Sequence, residues 1–241
     1  MTTTFTSVTD GVSYPTATHF NQYITPINNL EGGWVAVSSW AYASATSITV
    51  PSGAASIYSV GDKIKLTQTT VKYFYVVGVA DTVLTITGGT SYTLTNAAIT
   101  SPYYSKFESP VGFPQYFNYT PTGIASSNVT LTGRFKVTGR ECRCYIKAEI
   151  SGSLVGIFTT QPSLPITASA SHFEADTPAQ SGIAGYLDSG TASVLYGLSP
   201  RVIASGTVVT LTTTANVTIA ATTPITWANG DIITANFVYE I

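Results

Sequence analysis

The chain has 241 residues (25.3 kDa), of which only 9% are charged, with a net charge of −2 and a mean hydropathy of +0.24. So few cations exclude the clustered Lys and Arg of a nucleic-acid binder. The longest apolar run, residues 73–80, falls far short of the roughly 20 residues a membrane-spanning helix needs, so no membrane insertion is expected. Two cysteines and one methionine also exclude a disulfide scaffold and a Met-rich groove.

Roughly a sixth of the residues are threonine, which joins β-branching to a neutral polar surface, so the composition is that of an all-β protein. The opening Met-Thr-Thr-Thr-Phe-Thr has neither the basic nor the apolar stretch of a secretory signal. After Pro15, the residues Phe20, Tyr23, Ile24, Ile27 and Leu30 recur at helical spacing, with Thr16 or Thr18 as cap and Glu31-Gly32-Gly33 as stop. Pro26 removes a backbone donor, so a short helix ending or kinking near Ile24 is predicted. Such a helix cannot hold itself together in water, and its apolar stripe needs a partner. Residues 1–33 are therefore read as an attachment and oligomerisation segment.

Residues 34–108 read as a small β-barrel-like domain, with strands over 47–50, 63–68, 71–79 and 82–87. In the second of these, Lys63 and Lys65 are expected to face water while Ile64 and Leu66 face inward. The third carries Val71, Tyr73, Tyr75, Val77 and Val79 on one face and Phe74 and Val76 on the other, the pattern of a strand covered twice. An aromatic and proline-rich stretch follows, and residues 109–117 read as a linker. Its neighbourhood holds Tyr103, Tyr104, Phe113, Tyr116 and Phe117, which either stack on sugar rings or pack two domains together.

Residues 118–241 read as an antiparallel β-sandwich, jelly-roll-like in its strand number and turn spacing. Cys142, Cys144, Ile146, Ala148 and Ile150 alternate with Glu141, Arg143, Tyr145, Lys147 and Glu149, one buried face against one solvated face. Leu131, Phe135 and Val137 alternate likewise with Thr132, Arg134 and Lys136, and Thr138-Gly139-Arg140 closes the hairpin. Asn229-Gly230 signals a further hairpin before a final strand with Ile233, Ala235, Phe237 and Tyr239 on one face.

Chemistry-bearing constellations are few. Cys142 and Cys144 lie on a core face, far in sequence from His19 and His172, and read as buried thiols. His172, Glu174 and Asp176 would share one face of an extended segment and form a weak candidate for a divalent cation. No Gly-x-Ser-x-Gly elbow is present, and the acids are spread thinly, so no catalytic residues and no cofactor are assigned.

The block Tyr58-Ser59-Val60-Gly61-Asp62-Lys63-Ile64-Lys65-Leu66-Thr67-Gln68, followed by Thr70-Val71-Lys72-Tyr73-Phe74-Tyr75-Val76, resembles a small β-module of bacteriophage virion appendages. Leu84-Thr85-Ile86-Thr87-Gly88-Gly89-Thr90 and Pro102-Tyr103-Tyr104-Ser105-Lys106 fit the same pattern. Pro224-Ile225-Thr226-Trp227-Ala228-Asn229-Gly230-Asp231 is similar to the last hairpin of their C-terminal domains, and Asp10-Gly11 before a short helix to their attachment end. The resemblance implies a homotrimeric, non-catalytic tail or head fibre on the virion surface, made in the host bacterial cytoplasm. Its implied partners are other tail or capsid proteins and a host-surface receptor, a glycan or a protein. A capsid decoration protein and a polysaccharide-depolymerising tailspike are the alternatives it leaves open. Deleting residues 1–33 is expected to lower the association state in sedimentation velocity; a truncated chain that sediments as the full chain does would remove the role of this segment.

Overall fold

The computed structural model describes residues 32–123, 127–152, 161–172, 181–190, 194–213, 215–220 and 222–241. The predicted helix, with Phe20, Tyr23, Ile24, Ile27 and Leu30, lies outside the described residues. The rest is all-β, in two antiparallel sheets of seven strands. The first contains β1 (Val35–Ala36), β2 (Ala41–Ser44), β3 (Ser47–Thr49), β4 (Lys63–Thr67), β5 (Val71–Val79), β6 (Val83–Thr87) and β7 (Thr100–Ser105), in the order β1-β7-β4-β5-β6-β3-β2. No ladder among the described strands joins β1 to β2, which remain the two edges of the sheet. The second contains β8 (Phe117–Tyr119), β9 (Val129–Thr138), β10 (Glu141–Ile150), β11 (Gly182–Asp188), β12 (Val194–Arg201), β13 (Thr210–Thr212) and β14 (Ile232–Glu240), in the order β13-β12-β11-β14-β10-β9-β8.

β5 is covered on both faces, and each face belongs to a different core. Phe74 and Val76 join Ile48, Ile64, Leu66, Leu84 and Ile86 in the core of the first sheet. Tyr75, on the opposite face, is 2% exposed and belongs to the core of the second sheet. The stretch after β7 makes the connection. The Phe113 ring packs on Tyr75 at 5.1 Å, on Tyr73 at 5.8 Å, on Trp34 at 6.1 Å and on Phe117 at 5.5 Å. Phe117 in turn packs on Tyr75 at 5.1 Å and on Phe135 at 5.9 Å. Ring contacts of this kind, edge-to-face or tilted, add about 0.5–1.5 kcal/mol per pair beyond the area they bury.

This covering overturns one expectation. Lys63 and Lys65 share a face with Tyr73 and Tyr75 and point toward the aromatic seam, not into water. Lys63 is only 2% exposed, and burial pulls its ammonium below the usual lysine range, opposed by the carboxylates of Asp62 and Glu108. Lys65 places its Nζ over the Trp34 ring at 4.7 Å and over Tyr103 at 4.3 Å, and burial lowers its ammonium too. Alternation marked Ile64 and Leu66 correctly as core, but it carries no information about what lands on the other face.

The sheets also touch through backbone. Gly61 has φ +92°, and a Cβ built there would fall on the carbonyl oxygen of Gly139 in the β9–β10 turn. At Gly89 the neighbour is the Asn118 carbonyl, which accepts from Thr90 N at 2.8 Å and Thr90 Oγ1 at 3.1 Å. In the second sheet the alternating face of β10 is buried as predicted, with Cys142 and Cys144 both fully buried. It is covered by Ile166, Ala168, Val202, Val209, Leu211, Ile219 and Trp227, most of them outside the strands.

The Asn229-Gly230 turn does not form a hairpin. It delivers the chain into β14, whose ladders run to β10 on one side and β11 on the other. Gly230 takes φ +94°, and the Asp231 carboxylate, with its residue 1% exposed, closes the turn. That carboxylate accepts from Ala228 N at 2.7 Å and from Ser189 N and Oγ at 2.8 Å each. The glycine makes the turn possible, and the acid after it closes the turn by accepting from the residue three before it.

Gly61→Ala is expected to cost about 3 kcal/mol or more, because left-handed strain and a backbone clash coincide. Gly139→Ala, also left-handed at φ +58° but with nothing within 4 Å of the new Cβ, should cost only about 1–2 kcal/mol. Equal losses in urea unfolding would show that the contact between the sheets contributes nothing.

Candidate binding face on the second sheet

Because side chains alternate along each strand, burying Cys142, Cys144 and Ile146 forces Arg143, Tyr145 and Lys147 onto the outer face. Strand register then sets the rows. Asn118, Arg134, Tyr145, Asn236 and Ile183 line up across β8, β9, β10, β14 and β11. Thr132, Lys147, Thr234, Gly185 and Gly197 form the next row, reaching β12. Lys136, Arg143 and Val238 form the row on the other side.

The first two rows line a concave groove of about 770 Å³, and the third lies beside it. Its floor is low where Gly185 faces Gly197, since neither carries a side chain. A Cβ at Gly197 would meet nothing within 4 Å. Its walls are Tyr145, Arg134, Lys147 and Ile183, the last 79% exposed. The lining offers amides from Asn118 and Asn236 and hydroxyls from Thr132 and Thr234.

Arg134 is held between two rings, its Cζ 4.9 Å from the centroids of both Tyr116 and Tyr145. The rings stand 5.7 Å apart at 75°. The Tyr145 hydroxyl is held below the ordinary tyrosine value, first by the adjoining Tyr116 phenol and then by Arg143 and Arg134. Beyond Tyr116 lies a smaller cleft of about 410 Å³, bounded by Glu108, Gln115, Tyr116, Lys136 and Thr138.

The predicted aromatic group is thus divided. Phe113 and Phe117 are in the seam, Tyr104 packs edge-on against Tyr58 at 5.1 Å, and Tyr103 receives Lys65. Tyr116 alone of the five borders the groove side. Sequence reasoning placed Tyr145 and Arg134 on a solvated face without marking them as functional. The usable signal was a tyrosine and an arginine at outward positions of adjacent strands, which the hairpin register brings opposite one another.

His172 accepts a hydrogen bond at Nδ1 from Glu240 N at 3.3 Å, and its ring meets Tyr239 at 6.5 Å. Glu174 and Asp176, the other two members of the candidate cation trio, lie outside the described residues. Among the described residues, no three His, Cys, Asp or Glu side chains form a metal-holding group. The Cys142 and Cys144 sulfurs are 3.7 Å apart, and burial pushes the Cys144 thiol well up, which keeps it protonated. Comparison with known families, curated proteins and solved structures gives no match, so functional assignment rests on the chain's own geometry.

Burial raises Tyr75 from 10.0 to about 12, whereas half-buried Tyr145 is lowered by its Tyr116 and arginine neighbours. The folded state therefore keeps a proton on Tyr75 that the unfolded state gives up, so the stability this contributes is intact below pH 10.0 and is lost as pH climbs toward 12. Absorbance at about 295 nm should show an early tyrosinate phase, abolished by Tyr145→Phe, and a late phase coincident with loss of circular dichroism. A single phase with the fold unchanged would contradict both assignments.

Proposed function

We propose that this chain is a non-catalytic, homotrimeric bacteriophage virion appendage, displayed on the virion surface, that adheres to a host-surface glycan through the outer face of its second sheet. The supporting observation is the groove with the Gly185–Gly197 floor, the Tyr145 wall and the amide and hydroxyl lining. Sugar rings present apolar C–H faces that pack on aromatic rings, and hydroxyls that exchange hydrogen bonds with amides, hydroxyls and cations. In this reading the second unit is a jelly-roll-like sandwich, residues 1–33 trimerise and attach it to tail or capsid proteins, and the first sheet is a spacer. Three linked sites raise avidity by about 10²–10⁴ without any new contact.

Ile183 favours a second reading. A large apolar side chain 79% exposed on this face is also what a contact between copies would use. Gly197→Tyr separates the two from fold effects, because the open space above Gly197 accepts a ring. On an array of bacterial surface glycans, the chain should bind at least one, and Gly197→Tyr should lose about tenfold or more of that affinity with an unchanged unfolding midpoint. Undiminished binding would move the site elsewhere. A lower association state in Ile183→Lys, with glycan binding retained, would make the face a subunit interface.

A further inference from the structure

We infer that the glycan is acidic, a saccharide chain bearing carboxylates that are read by Arg134, Lys136 and Arg143. This rests on the glycan reading above and names its substrate class. The chain has only ten Lys and Arg residues, yet Arg134, Lys136, Arg140, Arg143 and Lys147 all lie on the β9–β10 hairpin. Lys136 and Arg143 are direct cross-strand neighbours, a like-charge pairing that weakens a sheet. Among the described residues, neither they nor Arg134 has an ion-pair partner. No nearby carboxylate pairs with these three cations among the described residues. Glu149 is held by Lys147 at 2.7 Å and Glu240 by Arg140 at 3.7 Å, while Glu141, one row from Arg143 on the same face and opposite Glu240, makes no ion pair among the described residues. Glu108 borders the smaller cleft with Lys136 without pairing to it.

A bound carboxylate would relieve this repulsion. Arg134 is already ordered by its two tyrosine rings, so its planar fork is available for a two-point contact at little entropic cost. Lys136 lines the smaller cleft and Arg134 the groove, with Tyr116 between the two cavities. An extended chain crossing the hairpin would therefore meet cations on successive units, with neutral hydroxyl and amide contacts beyond them.

The test uses the full chain in its native assembly and oligomers of polygalacturonate and hyaluronate, each beside its carboxyl-reduced, neutral form, with oligothymidylate as a polyanion without that sugar. An acidic oligomer should bind about tenfold or more tightly than its reduced form, and the difference should shrink as salt is raised. Lys136→Gln and Arg143→Gln should each weaken that binding severalfold while raising the unfolding midpoint, because each removes one of two repelling charges. Equal binding of reduced and acidic forms would overturn the charge assignment and leave the glycan reading standing. Oligothymidylate binding as tightly as the acidic sugar would overturn it in favour of indiscriminate anion capture. Undiminished binding by both glutamine variants would place the anion elsewhere, and no binding to any saccharide would sink this inference and the glycan reading together.

Discussion

The packing of Phe117 against Tyr75 and Phe135 is the contact on which the rest of the architecture depends. Tyr75 stands on the central strand of the first sheet and Phe117 begins the edge strand of the second, so a single ring cluster is at once the cover of one sheet and the start of the other's core. Without it, β5 would expose an aromatic face and β8 would keep only its ladder and the Tyr119 ring against β9. The backbone approaches at Gly61 and Gly89 are possible only because the rings draw the sheets to contact distance.

That seam also sets the chemistry of the binding face. Once Phe113 and Phe117 turn inward, Tyr116 is directed to the opposite side of the same short stretch, beside Arg134. The outer face of the second sheet thereby gains an ordered cation from residues whose neighbours serve the core. Elsewhere the protein uses threonine and serine where others use charge, so its surface interactions are weakly dependent on salt. Against that background, five of the chain's ten Lys and Arg residues stand on the β9–β10 hairpin.

Much of the fold is legible in the sequence because it rests on period-two alternation. The Cys142–Ile150 face, the Phe135 and Val137 face and the double cover of β5 all follow from that periodicity. What failed was information that alternation does not contain. Lys63 reads as solvated because a lysine beside an isoleucine usually is, and only the fold places an aromatic seam above it. Asn229-Gly230 reads as a hairpin because local turn chemistry does not say which strands will flank the next one. The binding face was legible residue by residue but not as a site, since the Gly185–Gly197 floor exists only through the pairing of β11 with β12.

The position of β14 has a consequence for how the molecule is built. It lies between β10 and β11, yet it follows every other strand of the sheet in sequence. Until it emerges from the ribosome, the half-sheets β8–β9–β10 and β11–β12–β13 share no ladder among the described strands, and each presents an open hydrogen-bonding margin. Closure is therefore a late, long-range event, with β14 entering as a keystone between two waiting halves. Nascent chains of this protein pass through a stage in which neighbouring copies present matching gaps, the condition under which strand exchange between growing chains competes with self-completion.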